Sequence, residues 1–209
     1  MDFSALIDYL LKPYEQYTTL QIVLEIVAAS IGIVSVLFSI RKSIWVYPIG
    51  IVSTGLYSYL NYDWKLYGEL LINVYYTIMS LYGWGLWFIG KEDFSYAIKI
   101  SNSIGILTWI GLFTLGFSAV LSIYFYIYGT FTAIPTINYI DSLTASLFIV
   151  AMYLMAHKRI ENWIFWIIGN TLAIYLFIYK GYAITAFQFF VFLILAGRGW
   201  FEWRKNKLS

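Results

Sequence analysis

Long apolar runs separated by short polar turns dominate the chain. Seven runs, at 19–40, 44–62, 69–90, 103–128, 140–157, 162–180 and 183–203, reach the roughly 20 mostly apolar residues that a bilayer crossing requires. They are too long for the tilted, alternating strands of about ten residues that build a membrane barrel. The pattern therefore predicts an all-α integral membrane protein of seven transmembrane helices, with connections too short to hold a soluble domain. Before the first run, Phe3, Leu6, Ile7, Leu10 and Leu11 recur at helical spacing and give one apolar face. Residues 1–18 read as a short amphipathic helix lying in the membrane interface. Asp2 and Asp8 stand where a signal peptide would carry positive charge.

Composition agrees. Hydrophobic residues make up 61% of the 209 and charged residues 11%, against about 25% charged in a soluble domain. A net charge of +2 and the lack of cysteine exclude a basic nucleic-acid binder and a disulfide scaffold. GxGxxG, GxxxxGK[ST] and HExxH motifs do not occur, and no bound cofactor or metal is expected. Arg41, Lys42, Lys91, Lys99, Lys158, Arg159, Arg204, Lys205 and Lys207 fall on one side of a seven-span layout, and only Lys12, Lys65 and Lys180 on the other. Positive charge marks the cytoplasmic side, so the C-terminus is expected inside and the N-terminus outside.

The runs also repeat. Glu25-Ile-Val-Ala-Ala-Ser30 in the first span corresponds to Asp141-Ser-Leu-Thr-Ala-Ser146 in the fifth, and a basic turn follows each. Trp45 and Trp163 then open the second and sixth spans, with Tyr57 and Tyr175 at the same offset of 118. Tyr82-Gly83-Trp84 and Trp87 near the end of span three correspond to Arg198-Gly199-Trp200 and Trp203 in span seven. The organisation is thus one three-helix unit over 19–90, a linker helix with its loops over 91–139, a second unit over 140–203, and a basic tail over 204–209. An odd linker helix gives both units the same orientation, the parallel repeat of a transporter. Aromatic belts at span ends are the competing explanation of the landmarks. In this register Pro48 is expected to kink span two and serve as a bending point.

The sharpest local pattern is Trp163, Trp166 and Asn170. At about 100° per residue these three lie within roughly 60° of one helix face. Two indoles attract a desolvated cation or stack on a flat ring, and an amide both donates and accepts. A cationic heteroaromatic ring bearing a carboxamide suits that face. The alternative is an interfacial Trp anchor beside an amide that bridges helices. Pro48 and Val52 stand at the corresponding places of span two, so one site per chain is expected. Asn73 with Tyr76 and Ser80 in span three, and Gln188 in span seven, are the other intramembrane polar groups; they either touch substrate or join helices. Glu25 and Asp141 read as helix N-terminal carboxylates, with cation attraction or proton coupling as the other reading. His157, the single histidine, reads as a solvated loop residue.

The stretch from Asp141 to Trp203 resembles the PnuC family of bacterial vitamin and nucleoside transporters. Asp141-Ser142, Lys158, Glu161-Asn162-Trp163, the WxxWxxxN pattern, and Gly199 with Trp200 carry the resemblance, as does Tyr82-Gly83-Trp84. It implies uptake of nicotinamide riboside across the bacterial inner membrane without ion coupling or ATP, sustained by intracellular phosphorylation of the riboside. It also implies that Trp163, Trp166 and Asn170 recognise the substrate, that polar residues of spans three and seven complete the pocket, and that the protein forms homo-oligomers, as trimers. Trp45, at the matched place in the first unit, joins the expected site. Thiamine, riboflavin or deoxynucleosides on the same scaffold are the nearest rivals. A membrane-embedded enzyme and a non-catalytic assembly subunit are more distant ones.

Overall fold

The structure, a computed structural model, describes residues 12–64, 66–89 and 98–205. Among them are seven long helices: α1 (Thr19–Ile40), α2 (Val46–Asp63), α3 (Tyr67–Ile89), α4 (Ser103–Tyr128), α5 (Thr136–Ala156), α6 (Asn162–Lys180) and α7 (Ala183–Lys205). The expected interfacial helix falls largely on residues outside the described ones; Lys12–Gln16 form a short 3-10 turn.

Local chemistry sets the ends. Thr18 caps α1, accepting from the Gln21 N–H at 3.2 Å while the Gln21 side chain accepts from the Thr18 N–H at 2.8 Å, a reciprocal box that satisfies two otherwise orphaned donors. Asn102 caps α4 by accepting from Gly105 N–H. Gly129 and Gly181 end α4 and α6 at φ 78° and 81°, a left-handed conformation natural to glycine. Among the described residues, five helices are long and apolar enough to cross a membrane by length and composition alone, and α2 and α3 are not among them. Those two bring Ser53, Thr54, Asn61, Glu69, Asn73 and Ser80 to an internal cavity. Their lower hydropathy follows from polar groups that face the bundle interior and not lipid.

The repeat is visible in the backbone. The turn from α1 to α2 and the turn from α5 to α6 share five backbone hydrogen bonds at an offset of 116: Arg41, Lys42, Ser43, Val46 and Tyr47 donate to Leu37, Ser39, Phe38, Ser43 and Ile44, as His157, Lys158, Arg159, Asn162 and Trp163 donate to Tyr153, Met155, Leu154, Arg159 and Ile160. Lys42 and Lys158 carry the same positive φ, 56° and 52°. Tyr47 meets Trp87 edge-on at 5.2 Å, and Trp163 meets Trp203 edge-on at 5.5 Å. The Trp87 indole donates across to Ala156 O at 3.0 Å, and the Trp203 indole to Ser39 O at 3.2 Å. These four rings anchor one aromatic core with Ile40, Met152, Met155 and Ile160. Helices α1–α3 and α5–α7 thus form two equivalent units, joined where α1 meets α7 and α3 meets α5, with α4 packed on the outside of α5. Helix α4 buries only Gly116 and turns Ile104, Leu107 and Leu115 outward, a surface suited to lipid chains.

Three readings are corrected. The offset of 118 for spans two and six is off by two residues: the partner of Trp163 is Tyr47, that of Trp166 is Gly50, and that of Asn170 is Thr54. Landmark tryptophans at span ends misled because the shared turn, not Trp45, fixes the register. Pro48 is not placed to kink span two, because it lies third in α2, inside the first turn, where the missing N–H is needed by no intrahelical bond. His157 also differs from expectation. It closes α5, its ring centroid lies 4.5 Å from that of Tyr153 with the planes tilted by 50°, and its Nε2 lies 3.1 Å from the Tyr82 hydroxyl. Burial first, then Arg159 and Lys99, lower its pKa.

Candidate functional site

Between the two units runs a cavity of about 460 Å³. At one end stand Trp64, Tyr182 and Asp141, and at the other Ser39, Met155 and Trp163. Six of the seven expected site residues line it: Trp163, Trp166 and Asn170 from α6, Asn73 and Tyr76 from α3, and Gln188 from α7. Trp45 does not. It sits just before α2, 59% exposed, because the inward position of that turn belongs to Tyr47.

The α6 face is built as its spacing demands. Trp166 packs 5.3 Å from Phe148 and 6.3 Å from Tyr76, and Phe148 stacks on Phe189 at 5.7 Å with planes 9° apart. Gly169 admits the Phe148 ring, since a Cβ there would lie 2.5 Å from Phe148 Cε1. Trp163 serves two purposes, lining the cavity while its ring is held between Trp203 and Gly199 in the core. One helical turn after Trp166, Asn170 is 1% exposed and its Oδ1 has no hydrogen-bond partner among the described residues. An unpaired buried acceptor costs about 1–3 kcal/mol. Its repeat partner shows the contrast: Thr54 lies 2.7 Å from the Thr77 hydroxyl.

The other amides are partly committed. Asn73 donates from Nδ2 to Glu69 O at 2.9 Å, and Gln188 Oε1 accepts from the Tyr57 hydroxyl at 2.5 Å. Glu25 and Asp141 are not helix caps: Thr18 and Pro135 hold those positions, and each carboxylate lies more than one turn inside its helix. Glu25 is fully buried and accepts from Thr185 at 2.8 Å and Tyr14 at 3.3 Å. Asp141 accepts from Tyr124 at 2.5 Å and faces Lys180 Nζ at 3.7 Å. Lys180 also pairs with Glu69 at 2.5 Å, so one ammonium bridges carboxylates of both units.

Sequence reasoning missed Tyr57, Phe148 and Phe189 as cavity residues, along with the Glu69–Lys180 pair. In a chain with 16 Phe and 20 Tyr, no single ring stands out. The ion pair joins groups 111 positions apart, which no local pattern reveals.

The comparisons with known proteins fit this geometry. Residues 22–205 match the family model described as nicotinamide mononucleotide transporter. The chain is 32% identical over 155 residues to the nicotinamide riboside transporter PnuC of Neisseria mucosa, covering 71% of this chain and 57% of that protein. It is 23% identical over 201 residues to the protein of the same name from Escherichia coli, covering 86% of this chain and 84% of that one. A riboflavin/roseoflavin transporter, RibM of Streptomyces davaonensis, is 25% identical over 188 residues, covering 86% of this chain and 83% of its own. A crystal structure of the vitamin B3 transporter PnuC superposes with a TM-score of 0.72 at 25% identity, covering 100% of this chain and 93% of its own. With a family model spanning α1 through α7 and a solved transporter sharing the bundle, this chain belongs to the nicotinamide mononucleotide transporter family, a family of membrane transporters and not of enzymes.

Proposed function

We propose that this protein carries nicotinamide riboside inward across a bacterial inner membrane by facilitated diffusion. The observation that carries the reading is the orphaned, buried Oδ1 of Asn170 beside the Trp166–Phe148 pair in a cavity between the two units. A carboxamide supplies the N–H that this acceptor lacks, and the aromatic walls suit a pyridinium ring by cation–π attraction. Trp163 closes the ring pocket, while Asn73, Tyr76 and Gln188 remain for the ribose. The riboside transporters among its relatives support this substrate.

In this reading, alternating access moves the site between the two faces without ion coupling or ATP, and phosphorylation inside the cell keeps the riboside from returning. The N-terminus lies outside and the C-terminus in the cytoplasm, following the distribution of lysine and arginine. The chain works as a homo-oligomer, a trimer. A second reading has a specific support: the riboflavin/roseoflavin relative shows that flat vitamins differ within the family, so thiamine or riboflavin could occupy the same aromatic walls. Neither carries a free carboxamide, and the thiamine amine or the riboflavin ring imide would have to supply the N–H to Asn170 Oδ1 in its place.

Calorimetry on the purified protein decides. Saturable binding of the riboside, lost in Asn170→Ala, is expected. Binding of thiamine or riboflavin alone would overturn the substrate, and binding of none would overturn the site. Riboside uptake into proteoliposomes that stops at equal concentrations, without an ion gradient, tests the facilitative mechanism.

A further inference from the structure

The Tyr57–Gln188 pair joins helices of different units. Tyr57 lies on α2, and its hydroxyl sits 2.5 Å from Gln188 Oε1 on α7. Both side chains line the central cavity, and Gln188 is 4% exposed. The symmetry-related positions at the offset of 116 are Ala173 and Ile72, both apolar. The bundle therefore does not need a polar pair at this place for packing, because its other half does without one.

We infer that Tyr57 is a positioning residue that fixes the Gln188 amide in one orientation, so that its NH2 group is presented to an acceptor oxygen of the transported molecule. The inference rests on the proposed sugar-bearing substrate and assigns what that reading left open, the polarity of one contact. An amide has an acceptor end and a donor end, and without a partner either could face the ligand. Because the Tyr57 hydroxyl donates to Oε1, the donor end is left for the ligand. A ribose hydroxyl or ring oxygen accepts there.

Gly32 on α1 completes the arrangement. A Cβ at this position would come 2.8 Å from Gln188 Nε2, 3.0 Å from Ser53 Oγ and 3.4 Å from Phe192 Cζ. Any larger residue must push the amide nitrogen away from its place. Gly32 thus guards the donor end as Tyr57 guards the acceptor end.

The test is a double-mutant cycle on riboside affinity, measured by calorimetry on the full chain. Tyr57→Phe and Gln188→Met should each weaken binding about tenfold, and the double variant should be no weaker than Gln188→Met alone, since Tyr57 acts through the amide. Gln188→Glu, which keeps the shape and replaces the donor by an acceptor, should bind as poorly as Gln188→Met. A purely structural Tyr57 would lower thermal stability and give additive losses, and that result overturns the inference. So does unchanged affinity in Tyr57→Phe or full affinity in Gln188→Glu. If the wild-type protein binds no riboside, the proposed function falls and takes this inference with it. If the wild type binds and Tyr57→Phe binds equally well, only the inference falls.

Discussion

Replacing Gly199 by alanine tests the link between the repeat and the cavity. A Cβ at 199 would lie 2.5–2.6 Å from three carbons of the Trp163 indole, well inside the 3.5–4.0 Å of a comfortable carbon contact. Trp163 has little room to yield, being 2% exposed and held edge-on by Trp203 at 5.5 Å. Overpacking of this kind costs about 1–3 kcal/mol, which for a chain of this length lowers Tm by roughly 2–12 °C. The symmetry-related change, Gly83→Ala, places a Cβ 2.5 Å from Tyr47 Cζ and 2.7 Å from its hydroxyl, so a similar loss of stability is expected. The two variants should part company in binding. Displacing Trp163 disturbs the face it shares with Trp166 and Asn170, and riboside affinity should fall about tenfold, equivalent to about 1.4 kcal/mol. Tyr47 also lines the cavity but lies on α2, away from the Trp166–Asn170 face, so Gly83→Ala should weaken affinity less than Gly199→Ala does. Thermal denaturation in detergent and calorimetry with the riboside read both quantities. Undiminished stability in both variants would refute the close glycine–ring packing. Equal losses of affinity would show that binding responds to general distortion of the bundle and not to Trp163.

Three further outcomes follow from the same geometry. Asn170→Leu should abolish riboside binding while leaving Tm unchanged or raised, since it removes an unpaired acceptor worth about 1–3 kcal/mol; a clear fall in Tm would mean that Oδ1 has a partner in the protein. Lys180→Gln leaves Glu69 and Asp141 without their shared counter-ion and should destabilise by about 1–2 kcal/mol, these groups being only partly buried. Adding Glu69→Gln should recover part of that loss in a thermal-stability cycle. Lys158 lies in the turn between α5 and α6, and burial, followed by Lys42 and Lys99, pushes its pKa down to about 7. Between that value and the ordinary lysine pKa of about 10.4 the unfolded chain binds the extra proton, so stability rises with pH across this window. Lys158→Met should lose that rise when Tm is followed from pH 6.5 to 10, and an identical pH slope in both proteins would refute the assignment.

Helix existence was legible because it depends on local hydropathy. The spans 19–40, 103–128 and 162–180 coincide with α1, α4 and α6, each bounded by a capping residue, a basic turn or a glycine visible in the chain. The α6 face was legible for the same reason: three residues on one helix need only the 3.6-residue period to converge. The fates of Glu25 and Asp141 were not. A carboxylate early in a span looks like a cap, and only the packing of α7 against α1, and of α4 and α6 near Asp141, shows each accepting a hydroxyl or facing an ammonium. Trp45 failed for a subtler reason. An indole at a span end marks the membrane interface as readily as a cavity, and a register error of two residues turns a helix by about 200°, onto the opposite face.

That error bears on how a duplicated fold acquires a single site. The two units agree where the backbone must turn and where rings must lock: in the positive φ of Lys42 and Lys158, and in the glycines beneath Tyr47 and Trp163. They disagree where the cavity needs chemistry. Gly50 stands opposite Trp166, Thr54 opposite Asn170, Ala173 opposite Tyr57 and Ile72 opposite Gln188. At the amide the divergence has a direct physical sense. Thr54 closes its hydrogen bonding within its own unit through Thr77, whereas Asn170 keeps a buried acceptor open. A satisfied pair stabilises the bundle and binds nothing. An unsatisfied one weakens it and gives a ligand something to complete. Parallel repeats related by an axis along the membrane normal supply two equivalent walls, and side-chain divergence leaves the open polar group on one of them. One orphaned amide among the described cavity residues is thus the arrangement expected of a carrier that takes a single flat ligand at a time.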